Sequence, residues 1–402
     1  MNKIFCFFFV LYIISCSTQQ TQQSLPLDGE CYTIDLDEKK EASIPLSSLF
    51  KSVRTIILET SDDLIIGEID DLQVFDGYIY ILDSRKAKSL FVFNMDGKFV
   101  RKIGRRGQGP GDYNQVHDFT LDTENRIIYL CDSYLRVHKY QLDGTYLQTI
   151  KIQASGGRAC FIQFYNGRLY SNYMGGKTSQ DDYMLLEIDP NNGSILSRAL
   201  PVKDNKGWNE LFFSAHSRFF MSRANNPPRY NQMFMDNIMS VGKDIKPYIK
   251  LKSKYLTTEQ DIEEFRSKVE GLPVNMANVV RSEKIFDVNC FIENDEFINF
   301  RIGIIRSMVI ILNKNTGEVK LANSLSNDLL YRQGEKGRSG SFVFSDAKGA
   351  YVILDTQNVD RLIEFQNAIK NNEIIPDLDK SEQLMLLTEE SNPAIFFYEF
   401  KP

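Results

Sequence analysis

The chain has 402 residues, enough for two or three domains or for one large repeat architecture. With 43% hydrophobic, 25% charged and 12% aromatic residues it holds ample material for a core, which excludes a disordered or fibrous chain. A formal charge of -6, from 47 basic and 53 acidic residues, argues against a nucleic-acid binder, which needs a basic face.

Residues 1–16 read as an export signal. Lys3 supplies a short positive region, and Ile4 to Ile14 is an unbroken apolar run. That run is too short to span a bilayer, which takes about 20 residues, but it suits a signal core. Ser15-Cys16 follows, and then a polar stretch from Ser17 to Gln23. Ile13-Ile14-Ser15-Cys16 resembles a bacterial lipobox, although Ile13 stands where leucine is usual. Cys16 is therefore the expected lipid anchor, residues 17–43 a polar tether, and 44–402 the folded body. The plainer alternative is a secretory signal with an incidental cysteine. Two acyl chains on one cysteine suffice for stable anchoring. No other segment approaches 18 consecutive apolar residues, so the membrane should be met through the N-terminal lipid only. Cys31, Cys131, Cys160 and Cys290 are scattered, with no C-x-x-C pair. Neither a zinc knuckle nor a thioredoxin-like site is written here, and no disulfide pairing is selected.

From Leu72 onward the sequence repeats. Asp76-Gly77-Tyr78-Ile79-Tyr80-Ile81-Leu82-Asp83 is echoed by Glu124 to Asp132, and again by Asn166-Gly167-Arg168-Leu169-Tyr170. Phe91 to Val100 is echoed by His138 to Leu147, and more weakly by Leu185 to Leu196. The turn glycines Gly97, Gly144 and Gly193 are 47 and 49 residues apart. Alternating β-branched and aromatic runs joined by Asp-Gly or Asn-Gly predict hairpins, two to a unit. Four strands at this period match one propeller blade. Six first strands are expected, near Leu72–Phe75, Asp118–Leu121, Cys160–Phe164, Leu211–Ser214, Asn289–Ile292 and Phe342–Phe344. Later second strands are expected at Arg218–Met221, Glu296–Phe300 and Ala350–Leu354.

The fold predicted is thus all-β, a six-bladed propeller of four-stranded antiparallel blades. Ser52–Glu59 and the C-terminal run Ala394–Tyr398 should close the ring, since supplying one blade from both termini removes free sheet edges. The N-terminal run is expected outermost in that blade, with the C-terminal run beside it. A helical insertion is expected over 257–271, opened by Thr257 with Gln260 at the capping-box position. Ile262, Phe265 and Val269 would recur on one face of it, and Gly271 and Pro273 would end it. A second helix is expected near Asp360–Lys370.

The stretches Ile44 to Thr60 and Lys98 to Tyr113 resemble the six-bladed β-propeller lipoproteins of Bacteroidetes-type bacteria. The second stretch is also similar to NHL-repeat propellers. This resemblance, strong over 44–150, implies the propeller fold and a place in the bacterial cell envelope. It implies no shared catalytic set, and only Cys16 takes a role from it. No acidic run of the kind associated with surface export follows Cys16, so a periplasm-facing anchor is expected.

Motifs for chemistry are few. Gly104–Gly111 matches neither a dinucleotide nor a P-loop pattern, and a blade-to-blade crossover explains it. Gly175-Gly176-Lys177-Thr178 lacks the first glycine of a Walker loop, since Ser171 stands there. His117, His138 and His216 have no partners at zinc-ligand spacing, and no G-x-S-x-G elbow occurs. No catalytic residue, metal site or cofactor is expected. Strand alternation gathers Asp83–Lys88, Gly104–Gln115 and Asp132–Arg136 on one face, which brings Arg85, Arg105, Arg106 and Arg136 into one region. Arginine forks suit carboxylate, sulfate or phosphate groups. The function expected is a binding module for an unidentified protein partner or anionic ligand. Two alternatives stand beside it: a lactonase-like hydrolase with a divalent metal at the axis, and a purely structural scaffold.

Overall fold

Each Asp-Gly or Asn-Gly of the first three repeats is a hairpin turn. Asp76-Gly77 and Asn166-Gly167 hold φ at 51° and 78°, and at 47° and 73°, the paired left-handed geometry that matches strand twist. In a computed structural model these hairpins assemble into six four-stranded antiparallel sheets arranged as a propeller. The structure describes residues 31–132, 135–154, 157–159, 161–174, 183–209, 220–221, 227–269, 274–303, 307–333, 341–376 and 378–401.

Blade one comprises Asp71–Phe75, Tyr78–Asp83, Ser89–Asn94 and Phe99–Ile103, from axis to rim. Blade two comprises Val116–Asp122, Ile127–Asp132, Arg136–Gln141 and Tyr146–Lys151, and blade three Ile162–Tyr165, Arg168–Asn172, Tyr183–Ile188 and Ile195–Pro201. Blade five comprises Val288–Glu293, Phe297–Ile302, Met308–Asn313 and Val319–Ala322. All of these bear out the expected strands. Blade six is closed as predicted: Phe342–Ser345, Gly349–Leu354 and Ala394–Phe400 are followed outward by Phe50–Ile57, with Phe396 opposite Thr55.

Blade four differs from expectation. It contains Phe220–Met221, Arg229–Tyr230, Asn237–Ser240 and Lys246–Lys252. Phe220–Met221, expected inside a second strand, stands innermost among the described strands, and the expected first strand at 211–214 lies outside the described residues. Without Asp-Gly turns, nothing in this part of the sequence marked the register.

A second difference concerns the tether. Tyr32–Asp35 adds a fifth, parallel strand to the rim of blade four. Glu41 then bridges to Ala322 in blade five, and Ile44–Pro45 runs beside Leu325–Ser326. The chain thus docks on the propeller from residue 32, before the expected boundary at 44. Ile34 and Leu36 alternate along this segment and are fully buried, which supplies the reason.

The helical insertion is shorter than predicted. Its helix is Glu259–Phe265, capped by Thr258 in a capping box with Asp261, not by Thr257 with Gln260. The buried Thr257 hydroxyl instead donates to the Ile285 carbonyl at 2.7 Å. Arg266 leaves helical geometry, a second helix spans Met276–Ser282, and Val269 is exposed; Gly271 and Pro273 lie outside the described residues. The later helix is Val359–Lys370, close to expectation.

The core lies between blades. Ile56 and Ile395 of blade six pack on Leu72, Ile81, Phe91 and Phe93 of blade one, and Leu82 and Leu90 meet Phe119 and Leu130 of blade two. Among the described residues no helix is long and apolar enough to cross a membrane.

Candidate binding site

Strand direction gives the ring two unlike faces. First strands run from the crossover into the first hairpin turn, so both hairpin turns of a blade emerge together on a turn face. Second-to-third links and blade-to-blade crossovers emerge on the opposite, crossover face.

Arg85, Arg105, Arg106 and Arg136 all belong to the crossover face. The structure gives three of them carboxylate partners. Arg85 reaches Glu68 and Asp70, each at 3.1 Å. Arg105 pairs with Asp112 at 3.0 Å, where the Gly109 N–H and the guanidinium hold the carboxyl below its usual range. Arg136 pairs at 2.5 Å with Asp132, which His138 also approaches at 3.2 Å. Arg106 is exposed and forms no ion pair among the described residues. Much of the positive charge expected on this face is therefore answered locally.

The other motifs on this side serve the scaffold. The Gly104–Gly111 loop is the crossover from blade one to blade two. Its strand pair Arg105–Arg106 and Asp112–Tyr113 is pinned from below by the Tyr140 hydroxyl, which donates to the Gly111 carbonyl. His138 is buried between Asp132 and the Thr149 hydroxyl, 2.8 Å away. Asp83 and Asp132, at equivalent ends of second strands, accept backbone N–H groups of incoming crossovers: Gly67 at 2.7 Å and Gln115 at 3.2 Å. His216, Cys160 and Gly175–Thr178 lie outside the described residues. No disulfide joins Cys31, Cys131 and Cys290 to one another.

The turn face holds a feature that sequence reasoning missed. A cavity of about 830 Å³ opens where the first turns of blades one, two, three and six surround the axis. Phe75, Phe164, Tyr165, Phe344, Tyr351 and Phe397 contribute its aromatic lining, and Gln73 lies among them. Phe164 is held flat against Tyr129 at 5.1 Å, and the Arg54 guanidinium lies 4.9 Å from the Phe397 ring centre. The rim carboxylates are mostly engaged. Asp76 pairs with Arg126 at 2.6 Å, and Glu399 with Lys51 at 2.8 Å. Asp346 accepts the Tyr351 hydroxyl at 3.0 Å, and burial together with the Asp346 charge pushes that phenol far up. Glu124 is exposed and has no ion pair among the described residues. Such a mouth offers apolar planes and a hydrogen-bonding rim of mixed charge. The turns that build it are separated in sequence by whole hairpins, and only the Asp76-Gly77 and Asn166-Gly167 turns hinted at it. Among the described residues, no three His, Cys, Asp or Glu side chains group as a metal site would require.

The architecture is that of a six-bladed β-propeller with an N-terminal strand completing its last blade. The chain belongs to the family of the domain of unknown function DUF4934, whose model matches residues 31–399. Among solved structures, a Bacteroides fragilis protein described as exported is similar at TM-score 0.70 and 18% identity, over 93% of this chain and 100% of that one. A member of the DUF4221 family from Bacteroides vulgatus is similar at TM-score 0.50 and 12% identity, over 88% and 97%. At such identities the likeness concerns the fold. No curated protein matches the chain.

Proposed function

We propose that this protein is a lipid-anchored binding module of the bacterial cell envelope, tethered through Cys16, that takes its ligand at the turn-face cavity. The observation that carries the reading is the aromatic-lined mouth at the axis. Its volume falls inside the roughly 300–1,000 Å³ usual for ligand pockets, and aromatic planes favour binding over hydrolysis. The likeness to an exported propeller supports the envelope location. A lactonase-like enzyme would need carboxylates and amides converging on a metal; the lining carries Asp76, Asp122, Glu124 and Asn166, but among the described residues no three carboxylate, His or Cys side chains group closely enough to hold one. A bare scaffold would have no use for such a mouth.

A second reading keeps the crossover face as a surface for an acidic partner or anionic ligand, because Arg106 stands unpaired among the described residues beside Arg105. One experiment separates the two. A photo-crosslinking amino acid is placed at Glu124 or at Arg106, and intact envelopes are irradiated. Adducts at residue 124 support the cavity. Adducts confined to residue 106 overturn it in favour of the arginine face, and none at either site leaves the scaffold reading.

A further inference from the structure

The strand Tyr32–Asp35 fixes which face of the propeller the N-terminal chain comes from. It pairs in parallel with the rim strand of blade four, Tyr32 opposite Ile249 and Asp35 opposite Lys252. A fourth strand runs from the turn face to the crossover face, because it follows the second hairpin turn and leads into the next blade. Tyr32–Asp35 must run the same way. Its upstream end therefore points toward the turn face, where the cavity opens, and its downstream end toward the crossover face. The direction is firmly held. Ile34 and Leu36 are buried, Tyr32 meets Tyr248 edge-on at 5.6 Å, and at the far end Asp37 accepts the Ser253 hydroxyl at 2.7 Å.

We infer that the cavity-bearing turn face is the membrane-proximal face of the anchored protein. The inference rests on the reading that Cys16 carries the lipid. Residues 17–31 separate Cys16 from the strand, and at most ~3.6 Å per residue they reach about 54 Å. That length lets the ring stand off the bilayer, yet the chain arrives from the turn side. Turning the ring over would make it wrap the rim of blade four first. The cavity then opens toward molecules held at the lipid surface. The face bearing Arg85, Arg105, Arg106 and Arg136 is offered to soluble partners.

The two faces lie roughly 20 Å apart, the length of a six-residue strand at about 3.3 Å per residue, which energy transfer resolves. The chain from residue 17, with a hexahistidine at its N-terminus, is bound to phosphatidylcholine vesicles containing nickel-chelating and acceptor-labelled lipids. A donor sits on an encoded amino acid at Glu124 on the turn face or at Gln108 on the crossover face. A second pair, Asn166 and Arg106, guards against a local effect of either label. Transfer should be higher from 124 than from 108, and from 166 than from 106. Equal or reversed transfer in both pairs overturns the orientation. Acylation is tested apart, by labelled palmitate in cells carrying the natural chain or Cys16→Ser. Equal labelling of both defeats the anchor, and with it the membrane setting of the inference, whatever the vesicles show. Labelling that is lost in Cys16→Ser, together with the expected transfer, supports both.

Discussion

Gly97 and Gly77 look alike in sequence, each following an aspartate in a hairpin, but they do different work. Both hold positive φ, 86° and 78°, where a side chain strains the backbone. Around Gly77 nothing lies within 4 Å of an added Cβ. A Cβ at Gly97 would stand 2.0 Å from the Ile57 carbonyl oxygen, on the last strand of blade six. Gly193 meets Lys151 of blade two in the same way, at 2.1 Å. These two glycines let the second hairpins of blades one and three dock on the rim of the preceding blade, and the Glu59 N–H seals the first contact by donating to the Gly97 carbonyl at 2.8 Å. Gly77→Ala should therefore cost only the left-handed penalty of about 1–2 kcal/mol. Gly97→Ala should cost clearly more, because backbone of a neighbouring blade must give way. Urea midpoints of the two variants measure the difference, and equal shifts would deny the docking role. The turn residues themselves were legible, since Asp-Gly demands a left-handed pair. Their second use was not, because the partner strand lies 40 to 42 residues away.

At the scale of elements, the N-terminal segment divides into a closing strand and a rim strap. Phe50–Ile57 completes blade six, and Ile56 and Leu58 are almost wholly buried there. Residues 32–45 add to the outside of rings already paired. A chain beginning at residue 44 should melt lower, by the loss of Ile34 and Leu36 at about 1.5–3 kcal/mol each, yet keep a single sharp transition. A chain beginning at residue 61 also exposes an unpaired blade edge and should lose cooperativity. Calorimetry on both decides it: an unchanged melt for the shorter chain would deny that the strand closes the ring. The closing strand was legible because a propeller must hide its edges, and an apolar run lay at each terminus. The strap was not. Three alternating apolar residues, Tyr32, Ile34 and Leu36, stand in polar surroundings and carry no turn marker. Likewise the true cap Thr258 lies one residue from the expected Thr257, a shift that only the partner Asp261 resolves.

Across the whole molecule the blades meet through apolar faces, and the seam of blades four and five adds a buried ionic cluster beside its apolar one. Glu293 ends the inner strand of blade five, fully buried, and accepts a two-pronged contact from Arg229 of blade four, both bonds 2.9 Å. Lys314 reaches it at 3.1 Å and the Tyr248 hydroxyl donates at 2.7 Å, while the Arg229 guanidinium lies 3.5 Å from the Tyr248 ring centre. Burial pushes the Glu293 carboxyl up, but the bonds and charge of Arg229, the Lys314 ammonium and Tyr248 outweigh it and hold the group below its usual value. A carboxyl depressed in the folded state contributes stability that is fully present above its unfolded pKa, about 4.3, and lost as pH falls through the lower folded value. Glu293→Gln should therefore destabilise by roughly 3–5 kcal/mol at neutral pH, because it strands the buried Arg229 guanidinium and leaves the partly buried Lys314 without its carboxylate partner. Below pH ~4 the gap from the natural protein should narrow, since the unfolded natural chain then takes up a proton that the folded carboxyl resists. Stability measured by urea between pH 7 and pH 3 tests this. A gap that stays constant across that range would mean that the charge of Glu293 does not hold the seam. Blade four is where the sequence markers fail and its inner strands are only two residues each; the ionic clasp adds to the packing of Met221, Ile238, Ile249 and Leu251 against Ile298 and Phe300 of blade five in holding so short a sheet in the ring.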